Sequence, residues 1–165
     1  MEDNLQKHDF IVFAEDHYNP LGVVRSLGEI GIKPIVILVS ENPCLINHCK
    51  YVAKIHKVKT QEEGYDTLLK YYSHSQYKPF VYTASDNITS LLDSNLNQLI
   101  DKFYFFHGKE QGIVTKYMNK DNINHLAQSH GCRIPITEEV KKGELPKSLS
   151  YPIMTKAIIS TTGGW

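Results

Sequence analysis

The chain has 165 residues, 41% hydrophobic and 22% charged, which suits one globular domain with a smaller appendage. Eighteen Lys and Arg residues balance eighteen Asp and Glu, and the absence of a basic stripe argues against nucleic acid as the main partner. No apolar run approaches the roughly 20 residues that cross a bilayer; the polar opening MEDNLQKHDF is no secretory signal, and three cysteines without a CxxC pair fit free thiols in a reducing cytoplasm.

Residues 1–8 read as a polar lead-in. FIVFA, residues 10–14, is a continuous apolar run of buried-strand type. EDHYNPLG follows as a turn, with Pro20 at the start of a helix that sets Leu21, Val24, Leu27 and Ile30 on one face and ends at Gly31. PIVILV, residues 34–39, is a second buried strand, which completes a βαβ unit with parallel strands. The alternation repeats. A weaker strand is expected near 52–58, a helix over 62–73 and a strand at 79–83. Asp86 stands where an N-cap belongs, before a helical stripe of Ile88, Leu91, Leu92, Leu96 and Leu99. FYFF, residues 103–106, is a fifth strand. The expected fold is α/β: an open parallel sheet of about five strands with helices on both faces. In such sheets ligands collect at the carboxyl ends of the strands, here residues 15–22, 40–43, 83–86 and 107–108.

The alternation stops near residue 108, so residues 1–108 are read as the α/β domain and 109–165 as a helical linker leading into the start of another domain. Two helical pieces are expected at 111–117 and 119–130, with Gly131 as cap and Pro135 just beyond. TEEVKKGELPKSLS reads as a short helix and loop. YPIMTKAIISTTGGW then opens as a strand that aims Lys156 and runs into the hydroxyl- and glycine-rich tip Ser160, Thr161, Thr162, Gly163 and Gly164. Such a strand and tip resemble a phosphate-holding device: lysine supplies a point charge, and glycines let N–H groups approach oxygen.

The first strand–helix turn is not GxGxxG, and neither GxxxxGK[ST] nor GxSxG occurs. Cys44, His48 and Cys49 lack a second pair at zinc-finger spacing, so no metal site is expected, and no residue is assigned a catalytic role. Asp86 is most simply a helix cap, with a ligand contact as its functional alternative. Lys120 stands in the first turn of a helix, where the dipole disfavours a cation unless a phosphate shares the site.

The order of these pieces resembles the ATP-grasp superfamily. Its members open with a Rossmann-like pre-ATP-grasp domain. A helix of the form K…LA…GxxxPxT follows, matched here by Lys120, Leu126, Ala127, Gly131, Pro135 and Thr137. Then comes a yPxxxK strand with a Gly-rich loop, matched by Tyr151, Pro152, Lys156, Gly163 and Gly164. LGVVRSLGEIGI is similar to the first helix of the branch with carbamoyl-phosphate-synthase-like and D-aspartate-ligase-like proteins. The resemblance implies that Lys120, Lys156 and the loop 160–164 contact ATP. It also implies that a small-molecule carboxylate lies near Asn19, Pro20, Leu21, Gly22, Ser85 and Asp86, to be activated as an acyl phosphate and attacked by an amine or thiol. ATP and Mg²⁺ would serve the full-length parent, with none held tightly by this chain. The Mg²⁺-holding residues of the family find no match, so the chain is expected to be an inactive amino-terminal piece that can self-associate through its carboxyl-terminal segment. The alternative is a non-catalytic flavodoxin-like or nucleotide-sensing binding module.

Overall fold

The computed structural model describes residues 5–141 and 143–156. The strands are β1 (Phe10–Glu15), β2 (Ile35–Val39), β3 (Lys54–Val58), β4 (Phe80–Thr83) and β5 (Tyr104–Phe105). All neighbours pair in parallel in the order β3-β2-β1-β4-β5, so the expected open parallel sheet is the observed one. The helices are α1 (Tyr18–Glu29), α2 (Gln61–Tyr72), α3 (Asp86–Ser94), α4 (Leu96–Leu99), α5 (Ile113–Met118) and α6 (Lys120–Ser129). A 3-10 turn at Leu45–His48 links β2 to β3. The chain divides into two compact units, Met1–Thr115 and Lys116–Trp165.

Side chains alternate across β1, and each set has its own core. Val12 and Ala14 pack with Val36 and Leu38 under Val24 of α1 and Ile46 of the 3-10 turn. Ile11 and Phe13 pack on the opposite face with Leu68 of α2, Ile88 and Leu92 of α3, and Leu99 of α4. Helices therefore cover both faces, as expected. α2 comes close enough to the sheet that a Cβ on Gly64 would lie 2.5 Å from the Phe13 ring. Gly31, at φ +82°, ends α1 in the left-handed conformation that glycine adopts without penalty.

Helix ends depart from the sequence reading by a residue or two. α1 starts at Tyr18, so Pro20 stands third in the helix, where an N–H has no intrahelical partner to lose. Thr60, not Glu62, opens α2: its Oγ1 accepts from the Glu63 N–H at 3.1 Å, and Glu63 Oε2 accepts from the Lys59 N–H at 2.8 Å. The stripe from Ile88 to Leu99 is broken at Asn95 into α3 and α4. Among the described residues of 138–150 no short helix forms. Glu138 instead gathers the Lys147 N–H at 2.8 Å and the Ser148 N–H at 2.8 Å, which closes a loop. Residues 151–156 carry no strand, and the rest of that expected strand lies outside the described residues.

The segment after β5 is tied back to α3 through Asp93, a carboxylate 1% exposed. Its Oδ2 accepts from the Thr115 N–H at 2.8 Å and the Thr115 hydroxyl at 2.7 Å, while its backbone carbonyl accepts from the Gly112 N–H at 3.3 Å. This clasp holds the chain as far as Thr115 within the first unit.

At the β3 edge, His56 Nε2 and the Tyr72 hydroxyl are 2.6 Å apart, and the imidazole stacks on Tyr71. Burial, and secondarily the Lys54 charge, hold His56 below the ordinary imidazole range. The unfolded chain then binds that proton more readily than the folded one. The resulting stability is present above the unfolded pKa of about 6.5 and is lost as pH falls through the lower folded value. Urea midpoints measured from about pH 7 down to about pH 5 should fall, and His56→Gln should flatten the decline. An unchanged slope in the variant would mean that other groups govern it.

Candidate functional site

β1 and β4 lie side by side, yet the helices that follow them lie on opposite faces: α1 packs with Val12 and Ala14, α3 with Ile11 and Phe13. The carboxyl ends of β1 and β4 thus border the crevice at the topological switch point, the place where open α/β sheets bind ligands.

Glu15, the last residue of β1, stands at this point. Its Oε1 accepts from Gln61 Nε2 at 2.7 Å and Asn87 Nδ2 at 3.2 Å, and its Oε2 accepts from the Ser85 hydroxyl at 2.6 Å. Gln61 is the first residue of α2, Ser85 is the N-cap of α3, and Asn87 is in the first turn of α3. A carboxylate there completes the positive ends of two helix dipoles with a charge of the protein's own. The Ser85 side chain makes no capping bond, because its hydroxyl is turned to Glu15 instead. The backbone after β4 is fixed by Thr89, whose Oγ1 donates to the Ser85 carbonyl at 2.9 Å and lies 2.7 Å from Thr83 Oγ1.

A carboxylate offers about four lone-pair positions, and three donors occupy Glu15. The remaining acceptor capacity is on Oε2, on a half-buried residue at the crevice; the exposed Asp16 follows Glu15 in the chain, and the exposed Asp86 follows its partner Ser85. This corner is equipped to receive a hydroxyl or an ammonium group. The anion position between α2 and α3 is already filled.

The residues expected to surround a carboxylate substrate divide into two groups. Ser85 and Asp86 lie at the crevice, Ser85 as the cap and Asp86 one residue inside the helix, the reverse of the expected cap assignment. Asn19, Pro20, Leu21 and Gly22 do not converge. Asn19 is exposed and its N–H donates to His17 Nδ1 at 3.3 Å. Pro20 is buried without an N–H to offer, Leu21 packs in the core, and Gly22 is on the flank of α1. Sequence reading placed Glu15 at a strand end where ligands collect but assigned it no contact, and it passed over Asn87 and Gln61. The available signal was a lone carboxylate ending an apolar strand, opposite Ser-Asp-Asn at the end of another.

In the second unit, Lys120 is the first residue of α6. The N-cap is Asn119, whose Oδ1 accepts from the Asp121 N–H at 2.9 Å and the Asn122 N–H at 3.2 Å. Asp121 adds an anion to the same turn, so this helix end has its own balance for the dipole. Pro135 and Thr137 lie across a cleft of about 430 Å³ from Asp121 and His125 of α6. Lys156 is exposed in irregular chain, and residues 160–164 lie outside the described residues. No cluster of three or more His, Cys, Asp or Glu that could hold a metal occurs among the described residues. No protein-family model matches the sequence, and no curated protein matches it either.

The Glu15–Ser85 bond is charge-assisted and should couple the two residues by about 1 kcal/mol in a double-mutant cycle. Glu15→Ala alone should cost about 2 kcal/mol, since it strands three donors. Ser85→Ala should cost little once Glu15 is gone. Urea unfolding of the two single variants and the double variant measures the coupling, and additive losses would show that the bond carries no energy.

Proposed function

We propose that this chain is the amino-terminal part of an ATP-dependent carboxylate–amine or carboxylate–thiol ligase that works through an acyl phosphate, and that it is inactive by itself. The observation that carries the reading is the order of parts. A five-stranded parallel sheet with its switch point at Glu15 precedes a helix that opens on Lys120, and Pro135 and Thr137 line a cleft with that helix. In this reading Glu15 accepts from an amino or hydroxyl group of the substrate, held in place by Ser85, Asn87 and Gln61. Lys120 and Lys156 attend the ATP phosphates, the loop 160–164 closes over them, and the parent supplies the Mg²⁺ ligands. Transfer of a phosphoryl group depends mainly on positioning and charge neutralisation, and two lysines cannot complete that environment.

A cation exposed to water, as Lys156 is, gains only about 1 kcal/mol from a charge at ~4 Å, and a half-buried one such as Lys120 about 4, so the two together stay below the roughly 8 kcal/mol that micromolar binding requires. The 165-residue chain should therefore bind ATP weakly and release no phosphate. In the protein that contains the chain, Lys120→Ala and Lys156→Ala should each lower phosphate release at least about tenfold at saturating Mg²⁺, measured with a panel of amino and hydroxy acids. The exposed Cys132→Ala is the control. Micromolar ATP binding by the chain alone, seen by calorimetry, or full activity in Lys156→Ala, overturns the assignment.

One observation favours a second reading, a non-catalytic flavodoxin-like or nucleotide-sensing module: the Glu15 crevice is built wholly from residues of the first unit. Ligand binding that persists in Lys120→Ala and Lys156→Ala, but not in Glu15→Ala, would support it.

A further inference from the structure

The donors around Glu15 are held in place by bonds that do not involve it. Thr89 fixes the Ser85 carbonyl twice, through Oγ1 at 2.9 Å and through its N–H at 3.0 Å. α2, which Gln61 opens, is closed at its start by the reciprocal bonds of Thr60 and Glu63. Asn87 is carried by the helical backbone of α3. Ser85 also forgoes its local role. This N-cap serine makes no side-chain capping bond, and its hydroxyl donates instead to Glu15 Oε2 at 2.6 Å. Gln61, Ser85 and Asn87 are half-buried, so solvent reaches the corner they form.

We propose that Gln61, Ser85 and Asn87 form a binding site for a small carboxylate, and that Glu15 is its resident occupant, which a ligand carboxylate displaces. The donors divide between two oxygens, as a carboxylate requires. Gln61 Nε2 and Asn87 Nδ2 serve one at 2.7 and 3.2 Å, and the Ser85 hydroxyl serves the other. A free carboxylate repeats this pattern, because nothing in it depends on attachment to β1. A primary amide does not, since it offers one acceptor oxygen where two are needed. Attachment makes Glu15 a strong competitor, because a tethered group acts at a high effective concentration. The site is therefore self-occupied, and a ligand carboxylate needs further contacts of its own to win.

Once displaced, Glu15 keeps its charge at the crevice and is free for the amino or hydroxyl group that the ligase reading assigns to it. The donor site itself needs neither ATP nor Lys120 and Lys156. All of its residues belong to the first unit.

The test is chemical rescue in the 165-residue chain, without ATP. Glu15→Ala removes a methylene and a carboxylate, which together have the size of an acetate ion. This variant should bind acetate with a Kd on the order of 10 mM, read as a rise in its urea midpoint at constant ionic strength with chloride as the balancing ion. The unsubstituted chain should bind acetate at least about tenfold more weakly, because Glu15 competes. Propionate, one carbon too long, should rescue less than acetate. Adding Ser85→Ala and Asn87→Ala to Glu15→Ala should abolish the effect. If Glu15→Ala folds only when acetate is present, that supports the proposal, and Glu15→Ser, which also leaves the donors open, serves for the titration. Equal stabilisation by chloride, or acetate binding that survives the loss of Ser85 and Asn87, overturns the proposal. So does equally tight binding by the unsubstituted chain. Absence of rescue in both Glu15→Ala and Glu15→Ser, including failure to fold at any acetate concentration, overturns it as well.

Discussion

Parallel neighbours can be joined only by a crossover that leaves the plane of the sheet, and the hand of that crossover is nearly always the same. This constraint determines most of what is distinctive here. From β1 the chain steps outward to β2 and β3 and carries α1 and the 3-10 turn on one face. It then returns past β1 to lay down β4 and β5, and the reversal moves α2, α3 and α4 to the other face. The crevice at Glu15 and the exposure of Tyr82, Tyr104 and Phe106 on the α1 face both follow from that reversal. One is the gap where the connections part, and the other is the side of that face on which β4 and β5 lie, away from β2 and β3.

The apolar runs at residues 10–14, 34–39 and 79–83 made these strands legible, because a strand buried on both faces leaves a continuous hydrophobic signature. The same signature hid which faces were covered. FYFF looks like a buried strand, yet Tyr104 is 45% exposed while Phe105 packs in the core. Composition reports that a residue is apolar, and only topology decides whether a helix lies over it. Strand β3 was harder to place, since KIHKV is an edge that needs only one apolar side.

Polar geometry was less legible still. Sequence pattern pointed to Asp86 as a cap because aspartate is a favoured capping residue. Neither Asp86 nor Ser85 caps with its side chain: Ser85 takes the position by backbone, and Glu15, seventy residues earlier, claims its hydroxyl. Such long-range competition leaves no local trace. Lys120 shows the converse. It was singled out as a cation at the wrong end of a dipole, and Asn119 and Asp121 supply much of what that end requires. The two units therefore differ in what they offer chemically: an anion held by neutral donors in the first, and a mixed polar cleft in the second.

The contact between Gly64 and Phe13 has a meaning for sequence variation. The ring and the missing Cβ contend for one volume, with Ile37 Cγ2 only 3.3 Å from the same point. A methyl group at 64 needs the Phe13 ring to move or a smaller side chain at 13, and the loss of that ring opens a cavity beneath α2. The two positions, fifty-one residues apart in the chain, are a single steric character. A lineage that enlarges position 64 while keeping the ring at 13 must move the ring or shift α2 away from the sheet.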